Sequence, residues 1–73
     1  MKTHKIGFIG GGNMASSLVS GLIASGHAAT DIWVSDVNEA ALATLAANLG
    51  INTTSHNADV VAATDVVVLA VKP

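Results

Sequence analysis

The 73-residue chain contains no cysteine and no arginine, a single proline, and only two aromatic residues, Phe8 and Trp33. Without cysteine there is no disulfide, no thiolate chemistry and no cysteine-based metal site, a composition compatible with a reducing compartment. Three lysines and a formal net charge of -2 leave no basic stripe for nucleic acid and no polybasic patch for a membrane surface. Two aromatics do not make a base-stacking set, and Trp33 reads as core or edge packing. His4, His27 and His56 are dispersed and lack a paired carboxylate motif, so they read as surface or turn residues and no metal site is expected. The basic start Met1-Lys2-Thr3-His4-Lys5 is followed only by Ile6 to Ile9 before glycines intervene. That run is too short for a signal-peptide core or a membrane span, which predicts a cytoplasmic protein.

Hydrophobic residues make up 51% of the chain and charged ones 11%. Such an apolar balance fits strands buried on both faces better than a half-solvated sheet. A chain this short forms at most one small domain, and buries only about 60% of its unfolded surface. Exposed apolar surface is therefore expected, and the chain reads as part of a larger unit.

The richest segment is Ile6-Gly7-Phe8-Ile9-Gly10-Gly11-Gly12-Asn13-Met14-Ala15, an apolar strand that runs through three glycines into a helix. Its spacing is G-x-G-x-x-A. Gly10 permits a tight turn, Gly12 lets a pyrophosphate approach the backbone, and Ala15 permits close packing of helix on strand. An anion at the start of the helix would meet free N–H groups and the positive end of the helix dipole. Glycine clusters also make ordinary turns, so context decides. The pattern asks for a preceding strand, a following helix and an acid at the end of a second strand; Ile32-Trp33-Val34-Ser35 followed by Asp36 supplies the last of these.

Periodicity predicts a first strand over Lys5–Ile9 and a helix over Asn13–Ser25, with Met14, Leu18, Val19, Leu22 and Ile23 at helical spacing. Gly26 stands where a left-handed cap is wanted, and Gly21 within the helix marks a close approach to the sheet. Asn38 or Asp36 can cap a second helix, Glu39–Asn48, which buries Leu42, Leu45 and Leu49 and ends at Gly50. A short strand over Ile51–Thr53 and a helix over Ala58–Ala63, capped by Asn57, lead to the apolar run Val66–Val71, read as a central parallel strand. Asp59 and Asp65 read as helix-start and loop residues. Asn13 either caps the first helix or meets a ligand. The β-α-β-α-β-α-β order implies an α/β, Rossmann-like parallel sheet with strand order 3-2-1-4 and right-handed crossovers. With only the short third helix on one face, that face should be bare, to be covered by chain beyond Pro73 or by a second copy.

The glycine segment with its Asn13-Met14-Ala15 helix start, the pair His56-Asn57, and the closing Ala70-Val71-Lys72-Pro73 together resemble the amino-terminal cofactor domain of the pyrroline-5-carboxylate reductase family. The resemblance spans essentially the whole chain. It implies that residues 1–73 are the first part of a dinucleotide-binding domain, and that a helical dimerisation and substrate domain lies outside this chain. It also implies NAD(P)H-dependent reduction of 1-pyrroline-5-carboxylate to L-proline, by hydride transfer to the imine carbon and protonation of nitrogen. By resemblance, the phosphates meet Gly10, Gly12, Asn13 and Met14, the adenosine side meets Ser35, Asp36 and Asn57, and Val71, Lys72 and Pro73 lie by the nicotinamide. The proton donor and the residues that hold the imino acid would be elsewhere, so these 73 residues alone should be inactive. The full-length protein would be a homo-oligomer.

Cofactor choice is contested within the sequence. Asp36 suits the ribose hydroxyls of NAD(H) and repels a 2′-phosphate, or it turns away to cap the second helix. Members of the resembling family frequently take NADPH through hydroxyl and amide side chains, and Ser35, Asn38 and Asn57 could supply them. The reading leans to NADP(H), with NAD(H) also accepted. The competing functions are a related imine or hydroxyacid reductase on the same fold, and a stand-alone nucleotide-binding or redox-sensing module without catalysis.

Overall fold

The structure is a computed structural model that describes residues 4–70. Strand β1 (Ile6–Ile9) ends where Gly10 adopts φ +106°, a backbone region that L side chains rarely enter, and helix α1 (Asn13–Ala24) begins three residues later. At the far end of α1, Gly26 takes φ +100°. Its N–H donates to the carbonyl of Ile23 and that of His27 donates to Leu22, the paired bonds that close a helix with a left-handed glycine. After a 3-10 turn over Ala29–Asp31 come β2 (Ile32–Ser35), α2 (Glu39–Leu49), β3 (Asn52–Thr54), α3 (Asn57–Ala63) and β4 (Val66–Leu69). Element order agrees with the pattern in the sequence, and boundaries shift by one or two residues.

The four strands are parallel in the order β3-β2-β1-β4, as the crossover argument requires. Phe8, Val19, Ile32, Val34, Leu42, Leu45 and Ile51 form the core, with Ala15 pressed fully out of solvent where α1 meets the sheet. Leu42 and Leu45 are buried as their spacing predicts, and Leu49 is half-buried against the core. Two members of the α1 pattern are not: Met14 and Leu18 are exposed.

One other expectation changes. Gly21 does not mark a close approach, since a Cβ there would meet nothing within 4 Å. The close approach is at Gly7, where a Cβ would lie 2.3 Å from Val60 Cγ1, so it is β1 against α3 that needs the missing side chain. As the order 3-2-1-4 has it, β4 lies at the edge of the described sheet, with Val66, Val67 and Leu69 exposed. Register pairs Val66 with Ile6 and Val67 with Gly7, and alternate residues point to opposite faces, so β4 shows apolar side chains on both, with only Val68 half-buried against the core. The apolar run has the composition of a central strand, and among the described residues it pairs with one neighbour, β1.

Loop residues hold the sheet ends. Asp65 accepts the Lys5 N–H through Oδ2 at 3.0 Å and donates its own N–H to the Lys5 carbonyl at 2.8 Å, joining the entries of β1 and β4. His27 Nε2 donates to the His4 carbonyl at 2.8 Å. No helix among the described residues is long and apolar enough to cross a membrane.

Candidate functional site

Parallel strands with helices behind them open a crevice at their carboxyl ends, on either side of the point where the strand order reverses. Here the reversal falls between β1, whose chain moves outward to β2, and β4 on its other side. A cleft of about 330 Å³ lies at that point, lined by Gly10, Gly11 and Gly12, by Ser35 and Asp36 at the exit of β2, and by Asn57 at the start of α3. The sequence brought five of these six forward; Gly11, an unspecified position in the spacing, it did not.

Gly12 occupies the N-cap position of α1 with an extended backbone, and no side chain caps the helix. A Cβ on Gly12 would meet nothing within 4 Å, so the space above this backbone is open to a ligand. The first N–H groups of a helix have no intrahelical partner. Those of Asn13 and Met14 follow directly on Gly12, with the positive end of the helix dipole behind them, although neither residue itself lines the cleft. Asn13 is the first helical residue and not the cap, which removes the capping alternative. Gly10 is different: its N–H already donates to the Ser35 carbonyl at 2.8 Å, so it shapes the turn and has no free donor for a phosphate.

Asp36 is neither free nor a helix cap. Its Oδ2 accepts the Gly11 N–H at 2.7 Å and its Oδ1 accepts the Asn38 N–H at 2.9 Å, while Asn38 Oδ1 caps α2 by accepting from Ala41 at 3.1 Å. The amides of Asn38 and then Gly11, with a smaller contribution from Val37, hold the Asp36 carboxyl below its ordinary value against a modest opposing effect of burial. Gly11 is a glycine for this reason: a Cβ there would sit 3.2 Å from Asp36 Oδ2 and 3.4 Å from Leu45 Cδ1.

Ser35 is fully buried and its hydroxyl donates to Asn57 Oδ1 at 2.6 Å. Asn57 begins α3 and does not cap it; the N-cap is His56, without a side-chain bond. The turn before α3 is built instead by Thr54, whose Oγ1 accepts the His56 N–H at 3.2 Å and donates to Asp59 Oδ2 at 2.7 Å. Val71, Lys72 and Pro73, expected by the nicotinamide, lie outside the described residues. No group of three or more His, Asp or Glu that could hold a metal occurs among the described residues.

The glycine turn, the uncapped helix start and the acid at the end of β2 form a cradle for a dinucleotide. The sequence profile of the family described as "NADP oxidoreductase coenzyme F420-dependent" matches residues 5–73. The chain belongs to this family. The family's description is that of NADP oxidoreductases, and the cradle fits NAD(P)H. Among proteins similar to this family member, a pyrroline-5-carboxylate reductase of Vibrio alginolyticus is 47% identical over 73 residues, which are 100% of this chain and 27% of the relative. One from Pseudomonas aeruginosa is 48% identical with the same shares. The solved structure of a pyrroline-5-carboxylate reductase from Coxiella burnetii superposes with a TM-score of 0.93 at 44% identity, covering 99% of this chain and 27% of that one. The chain thus spans about a quarter of the length of these relatives.

Proposed function

We propose that the chain is the nucleotide-holding part of a pyrroline-5-carboxylate reductase, binding NAD(P)H for reduction of 1-pyrroline-5-carboxylate to L-proline. The observation that carries this reading is the open, uncapped helix start at Gly12 and an ionised Asp36 lining one cleft. The substrate assignment draws on the names of the relatives. Nicotinamide supplies the hydride when the cofactor is bound. What these residues supply is placement: Gly12, Asn13 and Met14 offer N–H groups to the pyrophosphate, Asp36 faces the ribose, and Asn57 borders the adenosine end. Val71, Lys72 and Pro73 are assigned to the nicotinamide end by the family resemblance, which also carries the homo-oligomeric, cytoplasmic setting and an imino-acid site on other residues.

Between the two cofactors, the geometry favours NAD(H), against the lean of the sequence toward NADP(H). Both oxygens of Asp36 are held by backbone amides, so the carboxylate stays ionised and in place. The chain has no arginine to neutralise a 2′-phosphate beside it. Calorimetric titration with NADH and NADPH tests the reading: saturable binding with NADH the tighter ligand is expected, equal or tighter NADPH binding refutes the preference, and no binding of either refutes the function.

A further inference from the structure

We infer that Ser35 is a positioning residue whose buried hydroxyl orients the Asn57 amide, so that Asn57 Nδ2 is presented as a hydrogen-bond donor to the adenosine half of the dinucleotide. The inference rests on the dinucleotide reading above and deepens it. Ser35 is 0% exposed, and its Oγ makes one hydrogen bond among the described residues, donated to Asn57 Oδ1 at 2.6 Å. A buried hydroxyl proton needs an acceptor. If the Asn57 amide turned over, Nδ2 would face Oγ, the serine could only accept, and its proton would be left buried without a partner. Ser35 therefore selects one of the two amide orientations.

The selected orientation turns the NH2 group away from Ser35. Asn57 is exposed, lines the cleft, and its Nδ2 has no hydrogen bond among the described residues. Asn57 is tied to the residue immediately before Asp36, so both stand at the same end of the cleft. Asp36 is acceptor-only and suited to ribose hydroxyls. Asn57 adds the opposite polarity, a donor for a ring nitrogen or ribose oxygen of adenosine. Ser35, expected from the family resemblance to touch the cofactor, acts through Asn57 because its own hydroxyl is fully buried.

A double-mutant cycle read by calorimetry, with NAD+ and ADP as probes and melting curves as a check on folding, tests this. Asn57→Ala should weaken both ligands by about three- to tenfold, the cost of one neutral hydrogen bond. Ser35→Ala should weaken both by a smaller factor, and the double variant should bind no worse than Asn57→Ala alone. Should Ser35→Ala fail to fold, Asn57→Asp decides: it leaves an oxygen for Ser35 and removes the donor, so it should bind no better than Asn57→Ala. Full additivity in the cycle makes Ser35 a mere structural support and overturns the inference, as does unchanged affinity in Asn57→Ala or Asn57→Asp. Weakened NAD+ binding with unchanged ADP binding overturns the adenosine assignment. If the unsubstituted protein binds neither probe, the dinucleotide reading itself falls.

Discussion

Gly7→Ala is the substitution whose cost can be worked from the backbone. An added Cβ would lie 2.3 Å from Val60 Cγ1, 2.9 Å from Thr64 Oγ1 and 3.0 Å from Thr64 Cγ2. Comfortable carbon contacts need about 3.5–4.0 Å, so a displacement on the order of 1 Å must be found. Val60 is fully buried and β-branched, with little rotamer freedom. Thr64 is pinned because its hydroxyl donates to the Val60 carbonyl at 2.6 Å. The shift therefore falls on α3 as a body. Overpacking of this kind costs about 1–3 kcal/mol, offset by roughly 0.5–1 kcal/mol because alanine loses less backbone entropy than glycine in a strand. A net loss of about 1–2 kcal/mol should lower Tm by roughly 5–15 °C in a domain of this size. The assay is thermal unfolding followed by circular dichroism and by the fluorescence of Trp33, the one tryptophan. Because α3 begins at Asn57, NAD+ affinity should fall as well. A Tm at or above that of the unsubstituted protein would refute the packing argument.

Gly21→Ala tests the converse: with nothing within 4 Å of the new Cβ and a helix interior around it, stability should rise by about 0.5–1 kcal/mol, and a loss in urea denaturation would contradict the open space. Gly12→Val has the same open space in the protein but occupies the path of the pyrophosphate. Its stability should fall by no more than about 1 kcal/mol, the difference between glycine and a β-branched residue at an N-cap, while calorimetric NADH affinity drops at least about tenfold; retained affinity would remove the phosphate cradle. Asp36 gives a pH dependence. Its pKa is lowered in the folded state, so the stability it contributes is fully present above the ordinary carboxylate range near about 4 and is lost as pH falls through the lower folded value. Urea midpoints of the unsubstituted protein and Asp36→Asn should therefore differ at neutral pH and converge in acid, and a gap independent of pH would exclude the ionised bond to Gly11 as its source.

What the sequence made legible is what depends on period and on glycine. Leu42 and Leu45 share one face of α2 because of their spacing, and Gly26 closes α1 because glycine enters the left-handed region without steric cost. What it hid are distances between elements. Gly7 and Gly21 look alike as glycines inside regular elements, yet only Gly7 faces a helix too close to admit a Cβ. One capping assignment failed in the same way, although Asn38 caps α2 as its position suggested. Asn57 precedes a helix and has a good capping side chain, but a buried hydroxyl 22 residues away claims its oxygen. Asp36 had two readings, ribose ligand or helix cap, and neither anticipated that its carboxylate also reaches back 25 residues to Gly11. Long-range polar contacts of this sort leave no period to read.

Those same contacts explain how the cleft is held ready for its ligand. Gly10 and Gly11 spend their N–H groups on Ser35 and Asp36, so two adjacent residues of β2 and its exit brace the loop from below. The loop is then fixed through hydrogen bonds that a pyrophosphate would not need to break, because the donors proposed for it begin at Gly12. Ordering a flexible glycine loop on binding would cost conformational entropy, about 1–2 kcal/mol for each residue fixed. Bracing Gly10 and Gly11 beforehand moves that cost into folding, where the core helps to meet it, and leaves binding with the smaller task of placing an anion on an already formed helix start. Asp36 thus has two consequences from one geometry: it stiffens the glycine loop, and in doing so it fixes a negative charge at the exit of β2, the charge on which the proposed preference for NAD(H) rests.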